Sequence, residues 1–354
     1  MKTKLILFVL GIFYVSLASA KIWRVNLLSN VGGTAAYPVF NNLNDANSAA
    51  NDGDTIHLEG IPPGTNRYPA AIITKRLIII GTGFFLDENI NTSLNQYSSR
   101  IESVQFSSGS YGSKLIGVWI YPSGALYIYT GAITIQRCKI DSRISIYDSS
   151  FIPLSDIVII GNFFDDNGSG SNSAIVMNSG NSPAGLIIKN NIFKRRLLLQ
   201  YNTTVGTIEQ CDNNVFNAPN TTLLFNSNSC HNNIIRADNV IVQVGTTNPT
   251  GVSYNTSSPL SGLLGSASEN NIYVDMNTLF VSPVTSSDGI YKLNPGSALG
   301  DDHVTERGVF GGSARPYYYT LSGLPPIPII YQMSGSGIVD AAGLPVFIHA
   351  KTIQ

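Results

Sequence analysis

Apolar residues recur along the chain in short runs that suit β-strands. Six segments share one pattern, in which an anchor is followed by three or four polar or small residues and then by an aromatic or aliphatic residue. The segments are residues 135–140, 159–164, 188–193, 211–216, 230–235 and 268–273, and their last residues are 24, 29, 23, 19 and 38 positions apart. Such a repeat is typical of a solenoid with stacked coils, and the interval of 38 residues is long enough for two coils. Residues 80–85 and 115–120 are weaker, earlier copies.

A second strand can be aligned between these segments, at residues 126–129, 144–147, 175–178, 197–200, 223–226 and 240–243. Because side chains alternate across a strand, the apolar positions of each copy should face one core. The predicted inward residues are Leu126, Ile128, Ile144, Ile146, Ile175, Met177, Leu197, Leu199, Leu223, Phe225, Val240 and Val242. Successive copies should stack about 4.8 Å apart, the usual spacing of paired strands.

Asparagine recurs at one position of the repeat, as Asn162, Asn191, Asn214, Asn233 and Asn271. A tight bend between two strands favours a residue that tolerates left-handed backbone angles, and stacked asparagines can hydrogen-bond as a ladder. A propeller or a sandwich would instead show hairpin turns and regular antiparallel alternation. The pattern therefore predicts an all-β fold, a right-handed parallel β-helix with irregular coils of roughly 19 to 29 residues.

The two ends of the repeat region carry different patterns. Leu43, Ala46 and Ala50 recur at helical spacing, and residues 51–54 (Asn-Asp-Gly-Asp) should end that helix. A short helix before a solenoid is expected to cap the first coil, which would otherwise expose apolar core and strand edges. After Gly312, a Pro-rich segment precedes two possible strands. We interpret this C-terminal β segment as a cap over the last coil in preference to a small attachment module.

Over roughly residues 35–312 the sequence resembles secreted right-handed parallel β-helix proteins of the pectate-lyase-like superfamily, which includes polygalacturonases. Residues 51–56 (Asn-Asp-Gly-Asp-Thr-Ile) are similar to the start of such domains. Residues 291–298 (Tyr-Lys-Leu-Asn-Pro-Gly-Ser-Ala) and 308–311 (Gly-Val-Phe-Gly) are similar to their end. The overall pattern is also similar to uncharacterised secreted β-helix proteins of Bacteroidetes-type bacteria. The resemblance implies a fold much more specifically than a function, because one fold hosts many chemistries.

The first twenty residues predict a secretory signal peptide. Lys2 and Lys4 precede an apolar run over residues 5–17, and residues 18–20 (Ala-Ser-Ala) supply a cleavage site. The run is too short for a membrane helix, and no later stretch reaches the ~18 uninterrupted apolar residues that one needs. We therefore expect a protein that is secreted, periplasmic or on the cell surface. The expected division is residues 1–20 as signal peptide, 21–312 as the capped β-helix and 313–354 as the C-terminal segment.

Composition narrows the possible partners. Charged residues make up 12% of the chain and the net charge is −1, so the basic stripe of a nucleic-acid-binding surface is not visible. Three cysteines, an odd number, argue against a disulfide framework. We interpret Cys211 and Cys230, at equivalent positions of the repeat, as buried thiols in one core column in preference to a disulfide. No Cys/His spacing suggests a metal site, and no cofactor is expected.

The outward positions of the second strand set supply the candidate ligand-binding residues. They combine aromatic rings, amides and guanidinium groups: Tyr127, Tyr129, Arg143, Tyr147, Asn178, Arg196, Gln200, Asn226 and Gln243. Sugar rings stack on aromatic side chains and sugar hydroxyls pair with planar amides, so this face suits an extracellular or cell-surface polysaccharide. The resemblance implies a groove over an equivalent sheet. The alternative is an ordinary polar solvent face.

Catalysis has less support in the sequence. The lyases that the chain resembles need a carboxylate cluster for calcium and a base, and the hydrolases need paired carboxylates. The outward positions contain neither Asp nor Glu, and Asp148 stands alone beyond Tyr147. One metal-free elimination would use Tyr147 as base with Arg143 or Arg196 on a uronate carboxylate. We expect a non-catalytic protein that binds carbohydrate or acts as a scaffold; the alternative is a lyase or hydrolase acting on an acidic polysaccharide.

Other polar and apolar groups have structural interpretations. Asp165 and Lys194 hold matching positions on two coils and should form an ion pair, and residues 301–303 (Asp-Asp-His) suit a solvated turn better than a cation site. Asn255 belongs to one of several Asn-x-Ser/Thr triplets, which matter only in an organism that glycosylates. An apolar outward column either docks a partner or is covered by a loop. Its residues are Phe163, Ile192, Val215, Ile234 and Ile272.

Overall fold

Short strands make up most of the structure. The computed structural model describes residues 20–28, 38–64, 66–147, 154–166, 173–178, 183–197, 199–201, 204–218, 222–236, 239–244, 252–257, 270–282, 286–297, 306–311, 318–335 and 346–352. Its α-helices are α1 (Leu43–Ala49) and α2 (Met276–Leu279), and short 3-10 helices span Gly289–Tyr291 and Leu321–Gly323. The earlier strands are β1 (Ile22–Val25), β2 (Val39–Phe40), β3 (Thr55–Leu58), β4 (Ala71–Ile73), β5 (Ile78–Ile80), β6 (Arg100–Ile101), β7 (Val104–Phe106), β8 (Lys114–Ile116), β9 (Trp119–Ile120), β10 (Leu126–Ile128), β11 (Thr134–Gln136), β12 (Lys139–Ile140), β13 (Ile144–Ile146), β14 (Val158–Ile160) and β15 (Phe163–Phe164). The later strands are β16 (Ile175–Met177), β17 (Ile187–Lys189), β18 (Ile192–Phe193), β19 (Gln200–Tyr201), β20 (Thr204–Val205), β21 (Thr207–Ile208), β22 (Gln210–Asp212), β23 (Val215–Asn217), β24 (Thr222–Ser227), β25 (Cys230–His231), β26 (Ile234–Arg236), β27 (Asn239–Val244), β28 (Val252–Ser253), β29 (Thr256–Ser257), β30 (Ile272–Tyr273), β31 (Pro328–Gly335) and β32 (Val346–Thr352).

Three long sheets of parallel strands form the body of the protein. Sheet A has the strand order β2-β1-β3-β5-β8-β11-β14-β17-β22, sheet B has β30-β29-β26-β23-β18-β15-β12-β9-β6, and sheet C has β16-β13-β10-β7-β4. The chain visits them in turn, because β11, β12 and β13 lie in sheets A, B and C and pair in parallel with β14, β15 and β16 one coil later. The fold is therefore the predicted parallel β-helix. The predicted right hand is the one that parallel crossover connections adopt in about 98% of cases.

The core consists of side chains that stack in columns because equivalent residues pair in register. Phe164 pairs with Phe193, and Phe193 pairs with Phe216. Their rings stack with centroids 4.5 Å and 4.9 Å apart. All three are fully buried in the cluster that fills the coil interior. The register predicted from the 135–140 repeat is thus confirmed from residue 115 to residue 235.

An asparagine ladder runs along the bend between sheets A and B. The Nδ2 of each asparagine donates to the Oδ1 of the next, at 2.9 Å from Asn162 to Asn191 and 3.1 Å from Asn191 to Asn214. The ladder continues through Asn233 and Asn255 to Asn271. Asn255, which the sequence pattern had not included, belongs to the extra coil formed by β28 and β29 inside the long interval between repeats.

The backbone reason given for this asparagine position was wrong. Left-handed backbone angles belong to the residue before the ladder, at Asn190, Asn213, Asn232 and Asn270, with φ between 52° and 60°. The ladder residue is instead selected by its fully buried side chain, which bonds two backbone groups of the preceding coil: Asn214 accepts the Asn191 N–H and donates to the Ile188 carbonyl. Cys138 occupies the equivalent position on an earlier coil, where its backbone N–H donates to the Asn162 Oδ1 at 2.9 Å.

The earliest predicted copy, residues 80–85, is not a coil of the repeat. Ile79, and not Ile80, pairs with Leu115, so the predicted register is shifted by one residue. The strand that precedes β9 in sheet B is β6, at Arg100 and Ile101. Phe84 leaves the coil and packs in a separate apolar cluster outside it.

The helix α1 caps the first coil, as predicted. Its apolar residues Leu43 and Ala46 are fully buried, and Asn42 accepts the N–H of Asp45 at its start. Asp54, also buried, accepts the Trp23 indole N–H at 2.8 Å and the Asn51 N–H at 2.8 Å. The first strand, the helix end and the first turn of the solenoid are therefore held at one carboxylate.

The three cysteines are free and buried, as expected. Cys211 and Cys230 interact on adjacent coils, and burial raises the pKa of the Cys211 thiol well above its usual value. Burial also raises the pKa of Cys138 to about 12. Since the thiolate is the reactive form, these are core thiols.

The apolar outward column of sheet B is covered by other parts of the same chain. Phe163, Ile192, Val215 and Ile234 are buried against Met276, Leu279, Tyr291, Leu293, Val309, Tyr319 and Phe84, and Ile272 is half-buried at the edge of the same cluster. Of the two interpretations offered by the sequence, coverage from within the chain is the one found. A docking surface is not required to explain this column.

The C-terminal strands β31 and β32 form an antiparallel pair. The Leu94 N–H donates to the Ile330 carbonyl at 2.8 Å, and Lys351 Nζ donates to the Asn91 carbonyl at 3.2 Å. These contacts join the pair to an early loop, whereas the sequence had favoured a position over the last coil. No helix in the described ranges is long and apolar enough to cross a membrane.

Candidate functional site

Sheet C presents most of the predicted ligand-binding residues on its outer face. Tyr127 pairs with Ser145, which pairs with Val176, so these three positions form one outward row across the coils. Tyr129, Tyr147 and Asn178 directly follow β10, β13 and β16 and form the next row. Tyr129 is 39% exposed, whereas Tyr127, Tyr147 and Asn178 are half-buried. The alternation therefore places these side chains where the sequence predicted them.

The tyrosines form a continuous aromatic surface. The rings of Tyr129 and Tyr147 stack with centroids 4.5 Å apart and 12° between their planes. Tyr127 lies tilted against Tyr147 at 6.2 Å. Burial raises the pKa of Tyr129, and the neighbouring Tyr147 raises it further. Tyr129 is therefore a neutral hydrogen-bonding group at physiological pH, poorly suited to act as a base.

Unused polar atoms lie beside the tyrosines. The Oγ of Ser145 and the Nδ2 of Asn178 are buried atoms with no hydrogen-bond partner among the described residues. A buried polar atom without a partner carries a free-energy cost of about 1–3 kcal/mol, so a ligand hydroxyl that reaches it gains more than at a solvated group. We call the surface formed by Tyr127, Tyr129, Ser145, Tyr147 and Asn178 the tyrosine–amide face.

Two arginines lie at the edge of this face. Arg143 and Arg196 each precede an inward-facing residue, and Arg143 is exposed while Arg196 is half-buried. The backbone carbonyl of Arg143 accepts the Leu126 N–H at 3.0 Å, and that of Arg196 accepts the Ala174 N–H at 3.0 Å. These bonds place the two residues at corresponding points of their coils.

The corner before Arg143 is held by a buried ion cluster. Lys139 bonds Asp141 and lies 3.0 Å from Asp165, and Lys194 bonds Asp165 at 2.7 Å. The predicted pair of Asp165 with Lys194 is therefore confirmed as part of a larger cluster. Arg195 donates to the backbone carbonyls of Asp141, Ser142 and Asp165.

The electrostatics of this cluster differ between its two carboxylates. Burial raises the pKa of Asp141, although Lys139 opposes that shift. Burial also acts to raise the pKa of Asp165, but the positive charges of Lys139 and Lys194 outweigh it and lower the pKa below its ordinary value. The cluster is a structural support for the corner and its charges are matched within it.

The predicted column does not continue through Gln200. Gln200 lies in β19, which turns back on β20 in an antiparallel pair, and Thr207 pairs with Asn226 in its place. Asn226 and Gln243 do pair with each other, but in a separate sheet formed by β21, β24 and β27. The predicted outward positions at the ends of the second strands therefore form two rows, and the tyrosines belong to the first. The positions are Tyr129, Tyr147, Asn178, Gln200, Asn226 and Gln243.

Sequence reasoning missed the other end of the face. Gln105 pairs with Tyr127, and Ile72 pairs with Gln105, so two earlier coils extend the outward row. Ile72 is 50% exposed. The alternation of apolar Val104 and Phe106 with polar Gln105 could have predicted this strand and its outward residue.

The acidic candidates lie mostly beyond what the structure describes. Asp148 and residues 301–303 fall outside the described residues. Within the described ranges, no group of three or more His, Cys, Asp or Glu side chains is arranged to hold a metal ion. The outward positions described on sheet C are aromatic, hydroxyl, amide, aliphatic and guanidinium groups.

Comparison of the sequence with models of protein families, with curated proteins and with solved structures found no match in any of the three. The chemistry of the site therefore rests on its own residues.

Proposed function

We propose that this protein is an exported, non-catalytic β-helix protein that binds a polysaccharide along the tyrosine–amide face. The observation that carries the proposal is the stack of Tyr129 and Tyr147, 4.5 Å apart, beside the unpartnered polar atoms of Ser145 and Asn178. A sugar ring can lie against the exposed tyrosine surface while its hydroxyls pair with the tyrosine hydroxyls and with the amide of the half-buried Asn178. A row of equivalent positions on successive coils suits a polymer better than a single sugar.

The flanking arginines favour an acidic polysaccharide. Arg143 is exposed, and a guanidinium pairs with a carboxylate through two parallel charge-assisted bonds. The described outward residues of sheet C include no acid that would repel such a polymer. Arg143 and Arg196 thus supply the preference for charge, and the tyrosines supply the contact area.

The proposal of export rests on the sequence. Residues 1–20 have the charged start, apolar run and small-residue site of a signal peptide. The resemblance to secreted β-helix proteins of the pectate-lyase-like superfamily and of Bacteroidetes-type bacteria supports a secreted, periplasmic or cell-surface location. A polysaccharide ligand is consistent with each of these locations.

A glycan array probed with the mature chain, residues 21–354, tests this function. We expect binding to acidic polysaccharides that is weakened by salt, because charge-assisted contacts at an exposed surface are screened. A parallel ultraviolet assay for unsaturated uronate products should show no increase with time. Release of such products would establish a lyase, and an array without any positive glycan would overturn the proposal and leave a scaffold role.

A further inference from the structure

A second surface with sugar-binding chemistry lies on the outer face of sheet B, away from the tyrosine–amide face. A small cavity of about 120 Å³ opens there against Trp119. Trp119 pairs with Lys139, which pairs with Phe163, so the cavity lies in the same outward column that is covered further along the chain. The covering cluster includes Phe163, whereas Trp119 stays half-buried.

The indole of Trp119 is fixed before any ligand arrives. Its Nε1 donates to Asp141 Oδ2 at 2.7 Å, and Lys139 Nζ lies over its ring at 4.4 Å. Lys139 is itself buried and anchored to Asp141 and Asp165. Since the indole N–H is already bonded, a ligand meets an apolar aromatic wall that costs little entropy to immobilise.

Polar side chains with unused bonding capacity face the same cavity. Asp87 and Gln96 line it, both are exposed, and neither has a hydrogen bond or ion pair with another described residue. Arg100 also lines it, held by its Nη2 bonds to the carbonyls of Ile61 at 3.2 Å and Pro62 at 2.8 Å. Tyr97, which is 43% exposed, adds a second aromatic wall.

We propose that this cavity binds one neutral hexose residue, with its ring against Trp119 and its hydroxyls bonded to Asp87 and Gln96. An aromatic face attracts the C–H groups of a pyranose ring, and a carboxylate accepts hydrogen bonds from its hydroxyls. Asp87 and Arg100 bring opposite charges to the cavity, so a net charge on the sugar gains nothing there. The volume is well below the roughly 300–1,000 Å³ of sites for drug-sized ligands, which limits the cavity to one ring. This second site does not depend on the function proposed for sheet C.

Tryptophan fluorescence tests the site directly, because Trp23 and Trp119 are the chain's two tryptophans. Trp23 is 4% exposed and lies in the N-terminal cap, so Trp23→Phe leaves Trp119 as the reporter. Titrations with glucose, galactose and mannose should give a saturable change in emission for at least one of them in the millimolar range. Galacturonate should bind no more tightly than the neutral hexoses, because attraction of its carboxylate by Arg100 is offset by repulsion from Asp87.

Variants at the cavity separate this site from the other face. Asp87→Ala, and in a second variant Gln96→Ala, should each weaken the titration by about tenfold or less, in line with the loss of one hydrogen bond. Tyr147→Ala, on the tyrosine–amide face, should leave it unchanged. Saturation-transfer NMR with the unsubstituted chain should show the same hexose contacting the protein, which covers the case in which Trp23→Phe disturbs folding.

Three results would overturn the proposal. The first is the absence of a saturable response to any of the three hexoses up to about 100 mM, by fluorescence and by NMR. The second is tighter binding of galacturonate than of the neutral sugars. The third is loss of the titration in Tyr147→Ala while Asp87→Ala still binds as the parent does.

Discussion

At the scale of single residues, buried amides are the feature on which the coils depend. Asn214 accepts the backbone N–H of Asn191 at 3.0 Å and donates to the carbonyl of Ile188 at 2.9 Å. It is fully buried, so neither backbone group has access to water. The side chain thus completes the hydrogen bonding of a bend at which the strands of sheets A and B leave backbone groups unpaired.

Replacing Asn214 by alanine should therefore be costly. We expect Asn214→Ala to lower the free energy of unfolding by about 3 kcal/mol, because at least two buried backbone groups lose their partner. Urea unfolding followed by circular dichroism measures the change. Asn228→Ala is the matched control, since Asn228 is exposed and should stay within about 0.5 kcal/mol of the parent. An equal effect of the two substitutions would show that the ladder does not stabilise the fold.

Asp165 should make stability depend on pH. Its pKa is lowered in the folded protein, so its contribution is fully present above the unfolded pKa and is lost as the pH falls through the folded pKa. Asp141, whose pKa is raised, acts in the opposite direction and partly offsets this loss. We expect Asp165→Asn to flatten the decline of the free energy of unfolding below about pH 4. An unchanged slope in unfolding curves measured from pH 6 to about pH 2 would contradict this role.

At the scale of strands, in-register stacking determines the fold, and the spacing of the sequence repeat predicts the register. The anchors Ile135, Ile159, Ile188 and Cys211 align as predicted because each repeat conserves the spacing from anchor to bend to aromatic residue. A side chain on a β-strand changes face with every one-residue shift, so this spacing leaves little freedom of register.

The repeat spacing predicted the strand register wrongly at two places. The segment at 80–85 resembles a repeat, but the chain leaves the coil after Ile80 and returns at Arg100, which composition does not signal. Gln200 continues the alternation of Leu197 and Leu199, yet it pairs antiparallel with Val205, and the sequence between β19 and β20 contains no Gly or Pro that would signal the change of direction. In both places the path depends on tertiary packing. Tyr127, Tyr129, Tyr147 and Asn178 were correctly predicted to share a face because they lie on or directly after strands without such interruptions.

The aromatic column should be the most sensitive part of the core. Phe193 is fully buried between Phe164 and Phe216, so Phe193→Ala removes contacts on two coils. We expect a loss of about 3–5 kcal/mol in the free energy of unfolding. Tyr273→Ala, an exposed aromatic residue of the same sheet, should change it by less than about 1 kcal/mol. The corresponding expectation for Phe225 stays a prediction, because its side chain lies outside the described residues.

At the scale of the whole molecule, a single buried carboxylate ties together segments that are far apart in sequence. Asp288 accepts the Ser322 N–H at 2.7 Å, the Tyr319 hydroxyl at 3.2 Å and the Asn89 amide at 3.0 Å. Burial raises its pKa, although these bonds oppose the shift. The early loop and the chain leading into β31 thus share this carboxylate as a hydrogen-bond acceptor, in addition to the direct bond from the Phe84 N–H to the Ser322 carbonyl.

Asp288→Ala should loosen this junction. We expect the free energy of unfolding to fall by about 3 kcal/mol, because hydrogen bonds to a buried charged group contribute more than neutral ones. Limited proteolysis should cleave the variant faster between residues 312 and 335 than the parent. Asp87→Ala is the matched control, as an exposed aspartate without a hydrogen bond to another described residue. Unchanged proteolysis of Asp288→Ala would show that the junction is held by other contacts.

Polysaccharide binding at the tyrosine–amide face can be measured by calorimetric titration with a glycan found on the array. The variant is Tyr129→Ala with Tyr147→Ala, and Tyr273→Ala is the control, because Tyr273 is an exposed tyrosine of sheet B. We expect at least about thirtyfold weaker binding for the double variant, since two aromatic contacts of more than 1 kcal/mol each are lost, with an unchanged Kd for the control. A double variant that is folded and binds with the Kd of the parent would contradict binding at this face.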